Sequence, residues 1–569
     1  MVRTGSLVAS PGGEADRAAL KAEAGTAFRA GDLAAARDAL QRYTCLFPSE
    51  VDGYGNMLAV ARRTPADGKM LARLALHALH LAPARPGPLV ALLTTLAERR
   101  EALPEGLETF VSRFRGDQDF ALARAIHLHR LGRPVCAERK IRRALIQIPD
   151  RPRLYHQLGL LRQSESGSDP GKAFNEAICA AEPGSPIAAE AAEHFAANLH
   201  ATGDLVRAVG LYRKALAGRP DASGLRANLA AALVDCGEAD AAEAELQRTL
   251  ILQPGHRDGL WLSSCLRIGA GDFSGGYRAH HVRWTEPHDG ARTLEFAALP
   301  LWLGQPAKGR RILVWGDFGI GDEIVFAPLA QWLAGQGAEV VLETDPRLVT
   351  LCRRSFPGLT VVARDGAPQD LPTFDFHVPS ALLARFYEKS GHAAELSPFK
   401  ADPERVAEIR EALGPASGGA RLVGFSWGGG GARTSWSKST ELADWRLLLS
   451  CPGIRLVSLQ YGGAGGTEGL PEEILPSPVR DLRNDLEGLA ALVAALDATV
   501  SISGINAHMA GALGRPGFIL LPRLPLWFWG REGSGARWYP SLRLFRRSDT
   551  GWEVPISDLS EAVRRFLSP

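Results

Sequence analysis

The sequence predicts an α + α/β protein: an N-terminal all-α solenoid of helix pairs, followed by two successive Rossmann-like domains. Three observations carry this. Gly203-Asp204, Gly237-Glu238 and Gly271-Asp272 stand 34 residues apart, and Pro220 and Pro254 follow the first two at a shared offset. This beat stops in a loop-rich stretch, Trp284 to Gly309, that holds Pro287, Pro300 and Pro306. Beyond it, short apolar runs of strand length alternate with helical stretches, and the alternation occurs twice.

In the first region, side chains keep phase with the glycines. Counting from Gly203 gives Ala208, Tyr212, Ala215 and Leu216 at the small and large positions where two helices interlock. Counting from Gly132 gives Ala137, Ile141, Ala144, Leu145 and Pro149, and from Gly31 gives Ala36, Leu40 and Pro48. The stretches ending at Pro83 and Pro183 keep the proline and lose the glycine. This is the period of a tetratricopeptide helix pair, and it predicts roughly seven pairs over residues 15–285. Pairs that stack only on their neighbours leave a concave face suited to an extended peptide.

After a join at residues 286–309, the first α/β half is placed at residues 310–400. Strands are predicted at Arg311–Trp315, Ala338–Glu343, Leu359–Ala363 and Phe374–Val378, with one helix over Asp322–Ala334. Residues 401–420, with Pro403, Pro415 and a Gly-Ser run, read as a linker. The second half, residues 421–567, is expected to run strand Leu422–Ser426, helix Ala443–Leu449, strand Ile454–Gln460, helix Leu486–Leu496, strand Thr499–Ser503, helix Ile505–Leu513 and strand Phe518–Leu521. Ligands of such sheets bind beyond the carboxyl ends of the strands, so the cleft between the halves is the place to look.

Composition narrows the function classes. The 569 residues exceed what one core can use, and 65 basic residues nearly cancel 63 acidic ones, for a net charge of +2. That balance lacks the basic field that duplex nucleic acid requires. Seven cysteines lie far apart with no C-x-x-C spacing, which points away from a zinc site or disulfide framework and toward a reducing cytosol. No run reads as a signal peptide or membrane span, so a cytoplasmic protein is expected.

Three loops can carry chemistry. In Gly316-Asp317-Phe318-Gly319-Ile320-Gly321-Asp322-Glu323, the loop glycines Gly319 and Gly321 let backbone approach a ligand closely. Asp322 stands where a phosphate would be repelled; it is read either as a base that takes a hydroxyl proton or as a plain helix cap. The loop Trp427–Lys438 joins four glycines to Arg433 and Lys438, two cations able to stabilise a departing diphosphate, or else ordinary surface charges on a glycine loop. Ser503-Gly504-Ile505-Asn506-Ala507-His508 opens a helix; His508 is read as a phosphate donor or as a packing histidine. His280 and His281 show no metal-ligand spacing and read as packing or surface residues.

Taken together, Gly319–Ile324, Leu342–Leu348, Ser458–Gly462, His508–Pro516 and Trp538–Phe545 resemble bacterial tetratricopeptide-repeat glycosyltransferases of GT-B fold, which are distantly similar to heptosyltransferases and O-linked N-acetylglucosamine transferases. The resemblance covers most of residues 300–567. It implies that Asp322 is the catalytic base, with Arg433, Lys438, Gln460, Asp485, Ser503, Asn506 and His508 on the donor side. It further implies inversion, no metal and no cofactor beyond the nucleotide-sugar substrate. Some family members with this layout modify flagellin with a nonulosonic acid, which makes flagellin a candidate acceptor by analogy. The chain departs from the family pattern at Ser503-Gly504, where relatives carry Asp or Gln followed by Thr, and in a glycine loop poorer in basic residues.

The expected function is therefore transfer of a sugar from a nucleotide donor to Ser or Thr of a protein docked on the repeats, the last of which feeds straight into the first α/β half. Two alternatives stand beside it: an inactive scaffold with a degenerate glycosyltransferase region, and an enzyme acting on polysaccharide or lipid.

Overall fold

In the computed structural model the chain folds as two compact units, one formed by Met1–Asn198 and Gly210–Pro220, the other by Leu199–Val209 and Asp221–Pro569. The structure describes residues 14–63, 68–104, 107, 113–114, 117–148, 151–165, 168–280, 284, 299–317, 319–364, 373–391, 398–414, 419–429, 438–461, 470–548 and 551–567.

The first unit is a stack of packed helix pairs: Glu14–Arg29 with Leu33–Leu46, Val51–Arg63 with Gly68–Leu81, Gln118–Arg130 with Pro134–Gln147, and Pro152–Gln163 with Gly171–Ala180. Gly87–Arg99 packs on Gln118–Arg130. In the second unit the pairing continues as Ser223–Cys236 with Ala239–Leu252 and Arg257–Gly269 with Phe273–His280. The glycine beat has one cause. Gly31, Gly132, Gly203, Gly237 and Gly271 all end a helix at φ between 72° and 90°, a left-handed position that costs an L side chain about 1 kcal/mol. At Gly237 the N–H donates to Val234 O at 2.9 Å and the Glu238 N–H to Leu233 O at 2.8 Å, the reversed bonds that satisfy a helix end. Of the packing positions read from sequence, Ala36, Leu40, Ala137, Ile141, Ala144, Ala208, Tyr212, Ala215 and Leu216 are buried, and Leu145 is half-buried.

The second unit also holds two parallel sheets. In the first, β1 (Arg311–Trp315), β2 (Glu339–Thr344), β3 (Thr360–Ala363) and β4 (Phe376–Pro379) lie in the order β3-β2-β1-β4. The second contains β5 (Arg421–Ser426), β6 (Ile454–Ser458), β7 (Ile474–Leu475), β8 (Ala498–Ile502), β9 (Gly517–Leu521), β10 (Gly535–Ala536) and β11 (Tyr539–Arg546), in the order β10-β11-β9-β8-β5-β6-β7. Every pairing is parallel except β10 with β11. Both sheets therefore turn back beside their first strand, the doubly wound order with a switch point there, and two such halves follow one another in the chain. Continuous burial of β8 and β9 fits strands covered on both faces.

Three local readings differ from the sequence expectation. The single helix expected over Asp322–Ala334 is two, Ile320–Phe326 and Pro328–Gly335, because Pro328 has no N–H to continue the ladder. Within residues 401–420, read as linker, Pro403–Leu413 is a helix capped by Asp402 and stopped at Gly414, and it packs on Leu486–Ala495. The last repeat also packs more broadly than expected. Helix Phe273–His280 lies against Ser380–Lys389 of the first half, while the Tyr277 ring meets Trp527 of the second edge-on at 6.0 Å. His280 is buried and hydrogen-bonded to Ser264 Oγ at 2.9 Å, the packing role expected of it; His281 lies outside the described residues.

Candidate active site

The two switch points bring four strand ends together: β1 leads into the Ile320–Phe326 helix that carries Asp322, β4 runs into Ser380, β5 ends at Ser426, and β8 leads through Ser503 to the Ile505–Ala512 helix. The helices that follow β1 and β8, Ile320–Phe326 and Ile505–Ala512, touch. Gly321 lies so close to the His508 ring that a Cβ there would stand 2.8 Å from Cδ2 and 3.1 Å from Nε2, so this position admits only glycine.

Asp322 is half-buried, and its carboxylate accepts from the Gly319 N–H at 3.3 Å. The capping reading of this residue is thus present in its geometry. Burial pushes its carboxyl up to about 6; backbone N–H groups oppose the shift, and the nearby carboxylates of Asp317 and Glu323 add to it. Such a value lies near that of an effective base at neutral pH. Across the cleft, burial lowers the Lys438 ammonium and the charge of Asp322 partly restores it. His508 is buried and held neutral, its pKa pushed down to about 3 by burial and by Lys438. Its Nδ1 lies 3.2 Å from the Tyr539 hydroxyl, and its ring stacks on Trp529 with centroids 5.0 Å apart. Asp322, Lys438, His508 and Tyr539 therefore form one electrostatic cluster.

Glu323 braces the loop beneath Asp322. It is buried, accepts from Thr344 Oγ1 at 2.7 Å and from the Asp345 N–H at 2.8 Å, and pairs with Arg364. It also fills the space where a Cβ on Gly316 would go.

On the opposite side, Gln460 grips the start of the glycine loop: Oε1 accepts from the Gly428 N–H at 3.1 Å, and Nε2 donates to Gly428 O at 2.9 Å. Ser439 Oγ bonds Gly429 N at 3.2 Å, and the Thr440 N–H donates to Trp427 O at 2.9 Å, closing the loop at its base. Arg433 lies outside the described residues.

Other expected donor-side residues are occupied with structure. Ser503 Oγ accepts from Trp529 Nε1 at 3.1 Å. Asp485 caps Leu486–Ala495 through the Gly488 N–H at 2.8 Å and pairs with Arg405 on Pro403–Leu413; nothing joins it to the Asp322 cluster among the described residues. Asn506 Nδ2 ties Ser426 Oγ to Leu459 O, each at 3.0 Å, leaving its buried Oδ1 without a partner among the described residues. Two contributors escaped the sequence reading: Tyr539, inside a motif quoted only as resemblance, and the 3₁₀ turn Trp527–Trp529, whose run of aromatics was the available signal.

Among the described residues no group of three or more His, Cys, Asp or Glu is placed to hold a metal ion, and no helix is long and apolar enough to cross a membrane.

By fold the chain joins a stack of helix pairs to two parallel α/β sheets. The tetratricopeptide repeat model matches residues 199–260. Protein FlbA of Caulobacter vibrioides is 28% identical over 403 residues, which are 64% of this chain and 65% of that protein, so the match spans just under two-thirds of the relative. Among solved structures, the glycosyl transferase family 9 protein from Veillonella parvula is 12% identical with a TM-score of 0.35, covering 46% of this chain and 98% of its own. YrrB, a TPR protein with an unusual peptide-binding site, is 15% identical with a TM-score of 0.28, covering 34% of this chain and 99% of its own.

Proposed function

We propose that the protein is a glycosyltransferase that moves a sugar from a nucleotide-sugar to a Ser or Thr hydroxyl of a protein held by the repeats. The observation that carries this reading is the meeting of Asp322, raised to about 6, with Lys438 and the neutral His508 where two parallel-sheet crevices adjoin. In the step this supports, the acceptor oxygen attacks the anomeric carbon as its proton passes to Asp322. The bond from that carbon to the nucleotide oxygen breaks, and the leaving group takes the electron pair. Lys438 and His508 stabilise the charge that develops there. Flagellin and a nonulosonic acid remain the acceptor and sugar suggested by resemblance. The test is to incubate the protein with a panel of nucleotide-sugars and candidate polypeptides and measure added mass; Asp322→Asn is expected to lower transfer by about 10²-fold or more.

A second reading, a binding scaffold without transfer, is favoured by one feature: Ser503 and Asp485 are both committed to internal bonds. It predicts that no donor is consumed while protein partners still bind.

A further inference from the structure

We infer that Tyr539 is a positioning residue: its hydroxyl donates to His508 Nδ1, which fixes the imidazole as the Nε2–H tautomer with that N–H beside Gly321 in the cleft. The argument is a count of donors and acceptors. The two atoms lie 3.2 Å apart, and Tyr539 is buried. Among the described residues its hydroxyl has no other hydrogen-bond partner. If Nδ1 carried the proton, it would donate to the Tyr539 oxygen, and the phenolic hydrogen would be left buried without an acceptor, which folded proteins avoid. With the proton on Nε2, the hydroxyl donates to Nδ1 and both groups are satisfied.

The surroundings hold this arrangement. Gly511 leaves room for the Tyr539 ring on the Ile505–Ala512 helix, since a Cβ there would collide with it. Trp529 stacks on the imidazole and is itself tethered to Ser503, so the ring is fixed in orientation as well as in tautomer. Its Cδ2–Nε2 edge faces Gly321, the residue before Asp322. A neutral ring with Nε2–H directed there gives a hydrogen-bond donor for an anionic oxygen. That last use rests on the glycosyltransferase reading; the tautomer does not.

Two measurements on the full-length protein test this. With ¹⁵N-labelled histidine, the His508 signals, assigned by their loss in His508→Gln, should show a protonated Nε2 and an unprotonated, hydrogen-bonded Nδ1. Tyr539→Phe should turn this into a mixture. A protonated Nδ1 in the wild type, or no change in Tyr539→Phe, would overturn the assignment. The second uses inorganic pyrophosphate as probe. Tyr539→Phe should weaken its binding roughly fivefold, the worth of one ordinary hydrogen bond. In the His508→Gln background, where the amide supplies a donor without help, Tyr539→Phe should change nothing. Equal losses in both backgrounds would show that Tyr539 acts through packing alone. A wild-type protein that binds no pyrophosphate would overturn the anion-facing role and the donor reading with it, while the nitrogen shifts still decide the tautomer.

Discussion

The Trp284 indole N–H donates to the Asp317 carboxylate at 2.5 Å, so a side chain just past the last repeat helix holds the segment that leads into the helix of Asp322. Trp284 is buried against His280, whose ring lies 5.5 Å away, and His280 in turn meets Trp527 at 4.9 Å. Phe326, on the helix that carries Asp322, stacks on Trp527 with centroids 5.5 Å apart. The last repeat and the two α/β halves thus share one aromatic cluster.

Trp284→Phe keeps an aromatic ring in that cluster but removes the hydrogen bond to Asp317 and leaves part of the buried indole's volume unfilled. We expect a loss of about 2–4 kcal/mol in urea unfolding, from a bond to a charged acceptor together with the space left behind. Faster amide exchange should follow in the Ile320–Phe326 helix. An unchanged exchange pattern would show that the repeat segment does not steady that helix.

Asp322→Asn is predicted to stabilise the protein at neutral pH. The folded-state pKa of about 6 lies above the ordinary 3.8, so the fold binds that proton more tightly than the unfolded chain does. Stability from this group is present below the unfolded value and is lost as pH rises through about 6. Removing the charge should therefore add on the order of 1–3 kcal/mol at pH 7.5 and nothing at pH 4. Thermal unfolding at the two pH values checks this. The same shift predicts that any Asp322-dependent rate rises with pH through about 6.

Arg537 joins three elements: Nε donates to Glu388 Oε1 at 2.6 Å, and its guanidinium lies 4.1 Å from the centre of the Phe273 ring. Arg537 reaches the surface but the Glu388 side chain is only 12% exposed, so Arg537→Met, which leaves that carboxylate without this partner, should cost about 2 kcal/mol. Its clearer effect should be faster hydrogen exchange along Ser380–Lys389 and Phe273–His280, and exchange confined to neither would refute the bridging role.

Gln460→Leu removes both bonds to Gly428 while keeping the side-chain bulk. With the backbone N–H and C=O at the loop base released, the loop should lose order, and pyrophosphate binding should weaken by roughly tenfold. Calorimetry on the variant decides this; undiminished binding would mean that the clasp does not shape the site.

Much of the fold could be read from the chain because single residues carry strong local demands. A left-handed helix end wants glycine, and the 34-residue recurrence follows from that. Parallel strands buried on both faces read as apolar runs, and β1 was placed residue for residue. The helix at Pro403–Leu413 is hidden in the sequence because its prolines read as breakers; Asp402-Pro403 is a helix start, with the cap's oxygen taking the Glu404 N–H at 3.0 Å. The site was legible only in part. Loop composition pointed to Asp322, Lys438 and His508, whereas the bonds that occupy Ser503, Asn506 and Asp485 depend on partners between 3 and 80 positions away. Tyr539 opens β11, 31 residues beyond His508, and the packing of β11 on the Ile505–Ala512 helix brings it to the imidazole.

The most direct test is intact-mass analysis of polypeptides after incubation with the wild-type protein and a panel of nucleotide-sugars, beside Asp322→Asn under the same conditions. The account predicts a mass increment of one sugar residue on a polypeptide with the wild type, and a yield lower by about 10²-fold or more with the variant. Equal transfer by the two proteins, or no donor consumed by the wild type with any sugar, would contradict it.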